Sequence, residues 1–254
     1  MSPFHTLVLA ASAALGGALN SVAGGGSFFT FPALLFVGIA PVTANATSAV
    51  ALWPAALSAS LAYRRELEHS KHVLVPLAAA SAVGGLIGAV LLLRTPNTTF
   101  ARAVPYLLLG ASLIFTFGRK IAAGWRDRAS PSSVCGVLFQ FVIAVYGGYF
   151  GGGMGIVMLA TLSLMGMTNI HAMNALKMLL GTLINLVAIV IFIAAGVVAW
   201  QPGIVMIVGA TCGGYAGARV ARRLDPEWVR RFALAAAWIM TALFFWKAYV
   251  HPRG

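Results

Sequence analysis

Apolar residues run along this chain in ten blocks separated by polar connectors: residues 4–22, 28–38, 42–62, 73–93, 103–118, 134–150, 154–166, 171–195, 202–218 and 232–250. A helix rising about 1.5 Å per residue needs about 20 such residues to cross the hydrocarbon layer of a bilayer, and most blocks approach that length. Two are short. Blocks 28–38 and 154–166 each follow a glycine triplet and, as helices, cover only about 16–20 Å. They read either as half-spans or as tilted segments continued by irregular backbone. The pattern predicts an all-α membrane protein, a polytopic helical bundle of 8 to 10 membrane segments with two short or broken segments after Gly-Gly-Gly turns.

The chain repeats itself. Gly24, Gly25 and Gly26 match Gly151, Gly152 and Gly153, and Asn45-Ala46 matches Asn174-Ala175. Further on, the run Gly84 to Ala89 matches Gly213 to Ala218. The last two matches share an offset of 129 residues and the triplets differ from it by two, so one small insertion registers residues 1–127 on residues 128–254. The expectation is one integral membrane domain of two repeats. Gly84 with Gly88 and Gly213 with Gly217 have the small-xxx-small spacing that lets membrane helices approach closely.

Composition agrees with the block pattern. Hydrophobic residues make up 60% of the chain and charged ones 9%, where a soluble domain carries about a quarter charged. The net charge of +12 comes from 17 Lys and Arg against 5 Asp and Glu. These cations gather in the connectors: Arg64, Arg65 and Lys71; Arg119, Lys120, Arg126 and Arg128; Arg219, Arg222, Arg223, Arg230 and Arg231. No basic stretch is interleaved with aromatics on a polar background, so nucleic acid is not an expected partner. If the short segments are re-entrant, the basic residues divide about evenly between the two sides. If the short segments also change sides, each repeat crosses five times and the three basic connectors share one side, as the positive-inside rule prefers. The second count is favoured. An odd number of crossings makes the repeats inverted, an architecture in which paired short segments mark the binding site of many secondary transporters.

The five acids, Glu66, Glu68, Asp127, Asp225 and Glu227, all fall in polar connectors. That argues against a carboxylate proton relay, a carboxylate metal site or paired-carboxylate catalysis within the membrane. Cys135 and Cys212 stand alone in apolar segments with no metal spacing beside them; no metal site and no cofactor are expected. No GxxxxGK[ST] motif is present, so gradients would supply the energy. Residues 5–20 could pass for a signal-peptide core but lack a basic flank, and are expected to be a membrane segment.

The glycine triplets with Ser27 place successive backbone N–H groups just before a helix start, a concave positive site that binds anions without a charged side chain. Their other reading is that glycine merely permits a tight turn or a close helix contact. Lys177 lies well inside its block, and intramembrane charges are functional by default, although a lysine near an interface can also snorkel. Asn174, Lys177, Gly181 and Asn185 form a polar stripe at helical spacing, which favours a cavity-facing Lys177. The repeat aligns Lys177 with Ser48 and Asn174 with Asn45. A site is thus expected from Asn45, Thr47 and Ser48 on one side and Asn174, Lys177 and Asn185 on the other. His171 reads first as an interfacial or capping residue, and besides Lys177 as the titratable candidate for coupling. Trp125, Trp200 and Trp228 read as interface anchors, and Pro32 and Pro54 as kinks.

The stretch Ala23 to Pro32, the segment Ala44 to Ser48 and the run Ala62-Tyr-Arg-Arg65 resemble the first half of the sulfite exporter TauE/SafE family. Asn174-Ala-Leu-Lys177, Asn185, Phe192, Gly196 to Trp200 and Gly213 to Arg219 resemble its second repeat. The resemblance implies a permease of the bacterial inner membrane for sulfite, sulfonates such as sulfoacetate, or related anions; it does not fix the anion or the direction. The expected function is a secondary transporter, an exporter, of such an anion. The expected partners are that anion and membrane lipid, with a homodimer left open. The rivals are a carrier of another small anion or solute, a membrane enzyme acting on lipids, and a non-transporting scaffold or accessory subunit.

Overall fold

A computed structural model describes residues 1–22, 25–62, 71–124, 133–167, 169–221 and 226–249. The described residues form ten α-helices and no strand: α1 Pro3–Val22, α2 Ser27–Phe36, α3 Pro41–Ala62, α4 Lys71–Arg94, α5 Asn97–Gly124, α6 Val134–Tyr149, α7 Met154–Leu164, α8 Ile170–Ala194, α9 Trp200–Ala221 and α10 Pro226–Tyr249. Each apolar block is one helix. The blocks understate α5, which runs six residues beyond its block at each end, because helix geometry tolerates the polar residues that end an apolar stretch. They also understate α10, where Pro226 opens the first turn, a position that needs no N–H, so Glu227 lies in a helix rather than a connector. Two helices, Leu74–Arg94 and Ala172–Ala194, are long and apolar enough by themselves to cross a membrane.

Helix ends follow local chemistry. Ser133 Oγ accepts from Gly136 N at the start of α6, and Asn169 Oδ1 accepts from Ala172 N at the start of α8, each satisfying a free N–H. The short helices α2 and α7 stop in the same way. Gly38 has φ +88° and Gly166 φ +83°, and Ile39 N and Met167 N reach back to Leu34 O and Leu162 O at 3.0 and 3.2 Å. This is the glycine-terminated cap that absorbs the last carbonyls of a helix.

The polarity of the fold is inside out. Thr30, Asn45, Thr47, Ser48, Ser81, Ser112, Gln140 and Lys177 are buried, whereas Leu7, Val75, Val134, Val142, Val190 and Val208 are exposed. In water such an exterior would associate; against lipid it is the expected surface. Apart from that of Lys177, each of these buried polar side chains has a hydrogen-bond partner, as Gln140 Nε2 does in donating to Ser81 Oγ at 2.8 Å.

Close packing joins the first five helices to the last five. On α9 and α1, a Cβ added at Gly213 would collide with Ala14 O, and one at Gly217 would lie 2.5 Å from Ala18 Cα. On α4 and α6, a Cβ at Gly84 would lie 2.7 Å from Phe141 O, and one at Gly88 would collide with Val145 O. Adding 129 to Gly84 and Gly88 gives Gly213 and Gly217; adding 127, the triplet offset, to Ala14 and Ala18 gives Phe141 and Val145. The same contact is therefore made twice, each time between the two halves of the chain. Exchanging α1–α5 for α6–α10 turns α1 on α9 into α6 on α4, α3 on α9 into α8 on α4, and α5 on α7 into α10 on α2, all of which are observed. Helices α3 and α8 pack on each other, as do α5 and α10. In the first pair Trp53 Nε1 donates to Thr182 O at 3.3 Å, and in the second the hydroxyls of Ser112 and Thr241 are 3.0 Å apart.

Candidate functional site

A cavity of about 70 Å³ opens where α3 and α8 meet the two glycine turns. A buried water needs roughly 10–15 Å³ by this measure, so there is room for an ion of a few heavy atoms. Its polar wall carries Asn20 from α1, Ser27 from α2, Asn45 from α3, and Lys177, Thr182 and Asn185 from α8. Leu52, Met154, Met178, Ala188, Phe150 and Phe192 supply the apolar wall.

Lys177 is the pivotal group. Its side chain is 4% exposed, and Nζ is the one buried side-chain nitrogen or oxygen without a hydrogen-bond partner among the described residues. An ammonium donates three hydrogen bonds, and a buried charge is costly unless paired. Its counterpart Ser48 is in the opposite condition: its hydroxyl lies 2.6 Å from Thr30 Oγ1, away from the cavity wall.

The glycine turns divide their work. Gly25, with φ +104°, and Gly151, with φ +74°, line the cavity in a conformation open to glycine. Gly26 caps α2 and packs against Gly16 of α1. Gly153, with φ +75°, caps α7, and its missing Cβ would lie 3.0 Å from Ala111 Cβ. Gly152 O accepts from the Tyr146 hydroxyl. Gly24 lies outside the described residues.

Other expected site residues are dispersed. Asn45 Nδ2 donates to Tyr149 O at 3.2 Å, bonding the last residue of α6 just ahead of the second glycine turn. Thr47 Oγ1 accepts from Ala199 N at 3.0 Å and so caps the start of α9 instead of facing the cavity. Asn174 is half-buried and off the cavity wall. The backbone of His171 is in α8; its side chain lies outside the described residues. Sequence reasoning passed over Asn20, Thr182, Met154 and Met178. Asn20 had a signal, since the triplet offset pairs it with Gly147 and both line the cavity. No group of three or more metal-ligating side chains occurs among the described residues.

Fold and site together define a helical membrane protein whose interior holds a small polar cavity and an unpaired cation. The family model described as Sulfite exporter TauE/SafE matches residues 9–244, and the chain belongs to that family. A probable membrane transporter protein of Haemophilus influenzae is 28% identical over 225 residues, 88% of each chain. The probable membrane transporter protein YfcA of Escherichia coli K12 is 27% identical over 250 residues, 98% of this chain and 93% of the relative. The probable membrane transporter protein ORF9 of a Sinorhizobium species is 32% identical over 225 residues, 86% of this chain and 84% of the relative. No solved structure matches the chain.

Proposed function

We propose that the chain is a multi-pass secondary transporter of the bacterial inner membrane that exports a small sulfur-containing anion, such as sulfite or an organosulfonate. The observation that carries this reading is Lys177, a residue that lines a polar cavity and whose Nζ is buried without a partner. A buried ammonium in an apolar protein calls for a counter-ion, and among the described residues no acidic side chain lines the cavity to provide one. The anion would take the ammonium for its charge and the amides of Asn45 and Asn185, the Ser27 hydroxyl and the backbone at Gly25 and Gly151 for its oxygens. An anion leaving an inside-negative cell gains about 2.3 kcal/mol per charge per 100 mV, so export needs no nucleotide.

The two halves, 1–127 and 128–254, are proposed to be inverted repeats that all cross the membrane. The interchangeable helix contacts support this, as do the two bonded pairs at the repeat offset, Trp53 with Thr182 and Ser112 with Thr241. A residue meets its own repeat equivalent only on the axis that relates the repeats. Such an axis, with a half-length helix on each side of it, is where inverted-repeat transporters bind substrate.

The test is purified protein alone in proteoliposomes. Labelled sulfite should move down its gradient, and a simple alkanesulfonate should compete while chloride does not. A protein that moves chloride as readily would be a carrier of a different small anion. One that moves none of these would be an accessory subunit or an enzyme.

A further inference from the structure

We propose that the cavity selects its ligand by charge: it takes a monoanion, such as hydrogen sulfite or a simple alkanesulfonate, in preference to a dianion such as sulfate, sulfite or a disulfonate. This rests on the reading of Lys177 as the anion-binding cation.

The argument is one of charge count. A duplicated site would offer its cation twice, once from each half, and two cations around one axis would suit a dianion. The duplication has not done so here. The repeat counterpart of Lys177 is Ser48, a neutral hydroxyl already engaged by Thr30 at 2.6 Å. The second half lacks the corresponding neutral pair. Thr30 N bonds back to Gly26 O, the cap of α2, and the residue that bonds in the same way to Gly153 O, the cap of α7, is Val157. A valine has no hydroxyl to spend on Lys177. One half thus closes its polar pair internally, and the other leaves one positive charge without a partner, on a residue that lines the cavity.

Among the described residues, no other Lys or Arg and no Asp or Glu lines the cavity. Its remaining polar side chains are neutral amides and hydroxyls, which donate hydrogen bonds to oxygens but cancel no charge. One ammonium with one monoanion makes a neutral buried pair. A dianion would leave one negative charge uncompensated in a low-dielectric interior, which is strongly unfavourable.

Among the described residues the surroundings add no compensating group. Helix α8 packs against α3, α4, α6 and α7. Helices α3 and α7 contain no titratable residue. Helix α6 offers Tyr146 and Tyr149, with Cys135 exposed at its far end. On α4, Arg94 is exposed in the last turn, and the side chains of Lys71 and His72, like that of His171 on α8, lie outside the described residues.

The experiment uses full-length protein in nanodiscs with labelled methanesulfonate as the probe, and sulfate, ethanedisulfonate and sulfite as competitors at about pH 6 and about pH 8, on either side of the second ionisation of sulfite. Sulfate and ethanedisulfonate should compete at least about tenfold more weakly than unlabelled methanesulfonate. Relative to methanesulfonate at the same pH, sulfite should lose about tenfold in apparent affinity per pH unit once its remaining proton is gone. Lys177→Arg should keep this order and Lys177→Gln should erase it. Dianions that compete equally or better, or sulfite that competes equally at the two pH values, would overturn the inference and leave the anion reading standing. If neither methanesulfonate nor labelled sulfite binds at all, the anion reading fails and takes the inference with it.

Discussion

Ser112 on α5 and Thr241 on α10 are 129 positions apart in sequence and 3.0 Å apart in space. Thr241 Oγ1 already donates to Ala237 O at 2.8 Å, so Ser112 supplies the proton between the two hydroxyls. Both are buried. Thr241→Val should leave the Ser112 hydroxyl without an acceptor and cost about 0.5–1.5 kcal/mol, the range for polar contacts between membrane helices. Ser112→Ala combined with Thr241→Val should recover part of the loss. Unfolding in mixed micelles of the two single variants and the double variant reads the coupling; strictly additive losses would show that the two hydroxyls do not bond.

Lys177→Met should separate stability from function. Removing a buried, unpartnered ammonium while keeping its volume should raise stability by about 1–3 kcal/mol. Loss of the charge should cost anion binding about thirtyfold or more, as truncating one partner of a buried charge pair does. Thermal unfolding and sulfite flux measured on the same preparation check both signs. Loss of fold together with loss of flux would mean that the ammonium is structural.

The interhelix glycines should divide sharply from the free ones. Gly84→Ala and Gly213→Ala force a methyl onto backbone atoms of the facing helix and should each destabilise by about 1–3 kcal/mol or more. Gly110→Ala meets nothing within 4 Å and should change stability by less than about 1 kcal/mol. Matched losses at 84 and 213 are expected, because the two contacts are the same contact made twice.

Gly153→Ala combines a positive φ with crowding against Ala111, whereas Gly38→Ala has the positive φ and open space. The left-handed conformation alone costs an alanine about 1–2 kcal/mol. Gly38→Ala should lose about that much and keep transport, and Gly153→Ala should lose more and transport poorly. Melting temperatures and flux for the pair distinguish strain from crowding at the second glycine turn.

Much of this was legible in the sequence, for a physical reason in each case. The ten blocks matched ten helices because lipid demands continuous apolar lengths, and the offset of 129 was visible because glycines at backbone contacts cannot be replaced cheaply. Lys177 and Asn185 stood out because a polar residue amid apolar ones is expensive. What stayed hidden was rotation. Thr47 and Ser48 lie in the same polar run as Asn45, yet one caps α9 and the other pairs with Thr30. Their direction depends on how α3 is turned against α2 and α9, which no periodicity within α3 records. Asn20 was overlooked because an asparagine near a helix end reads as a terminus until the neighbouring turn is in place.

The backbone contacts that tie α1 to α9 and α4 to α6 also bear on how the chain is made. When α1 enters the membrane, the face of α9 that carries Gly213 and Gly217 has not yet been synthesised, and it emerges only after seven further helices. The glycine face of α4 waits in the same way for α6. A ribosome stalled midway would leave both faces bare in lipid, open to a chaperone or a protease. Severing the gene between 127 and 128 should yield two fragments that are each unstable alone and rescue one another when co-expressed.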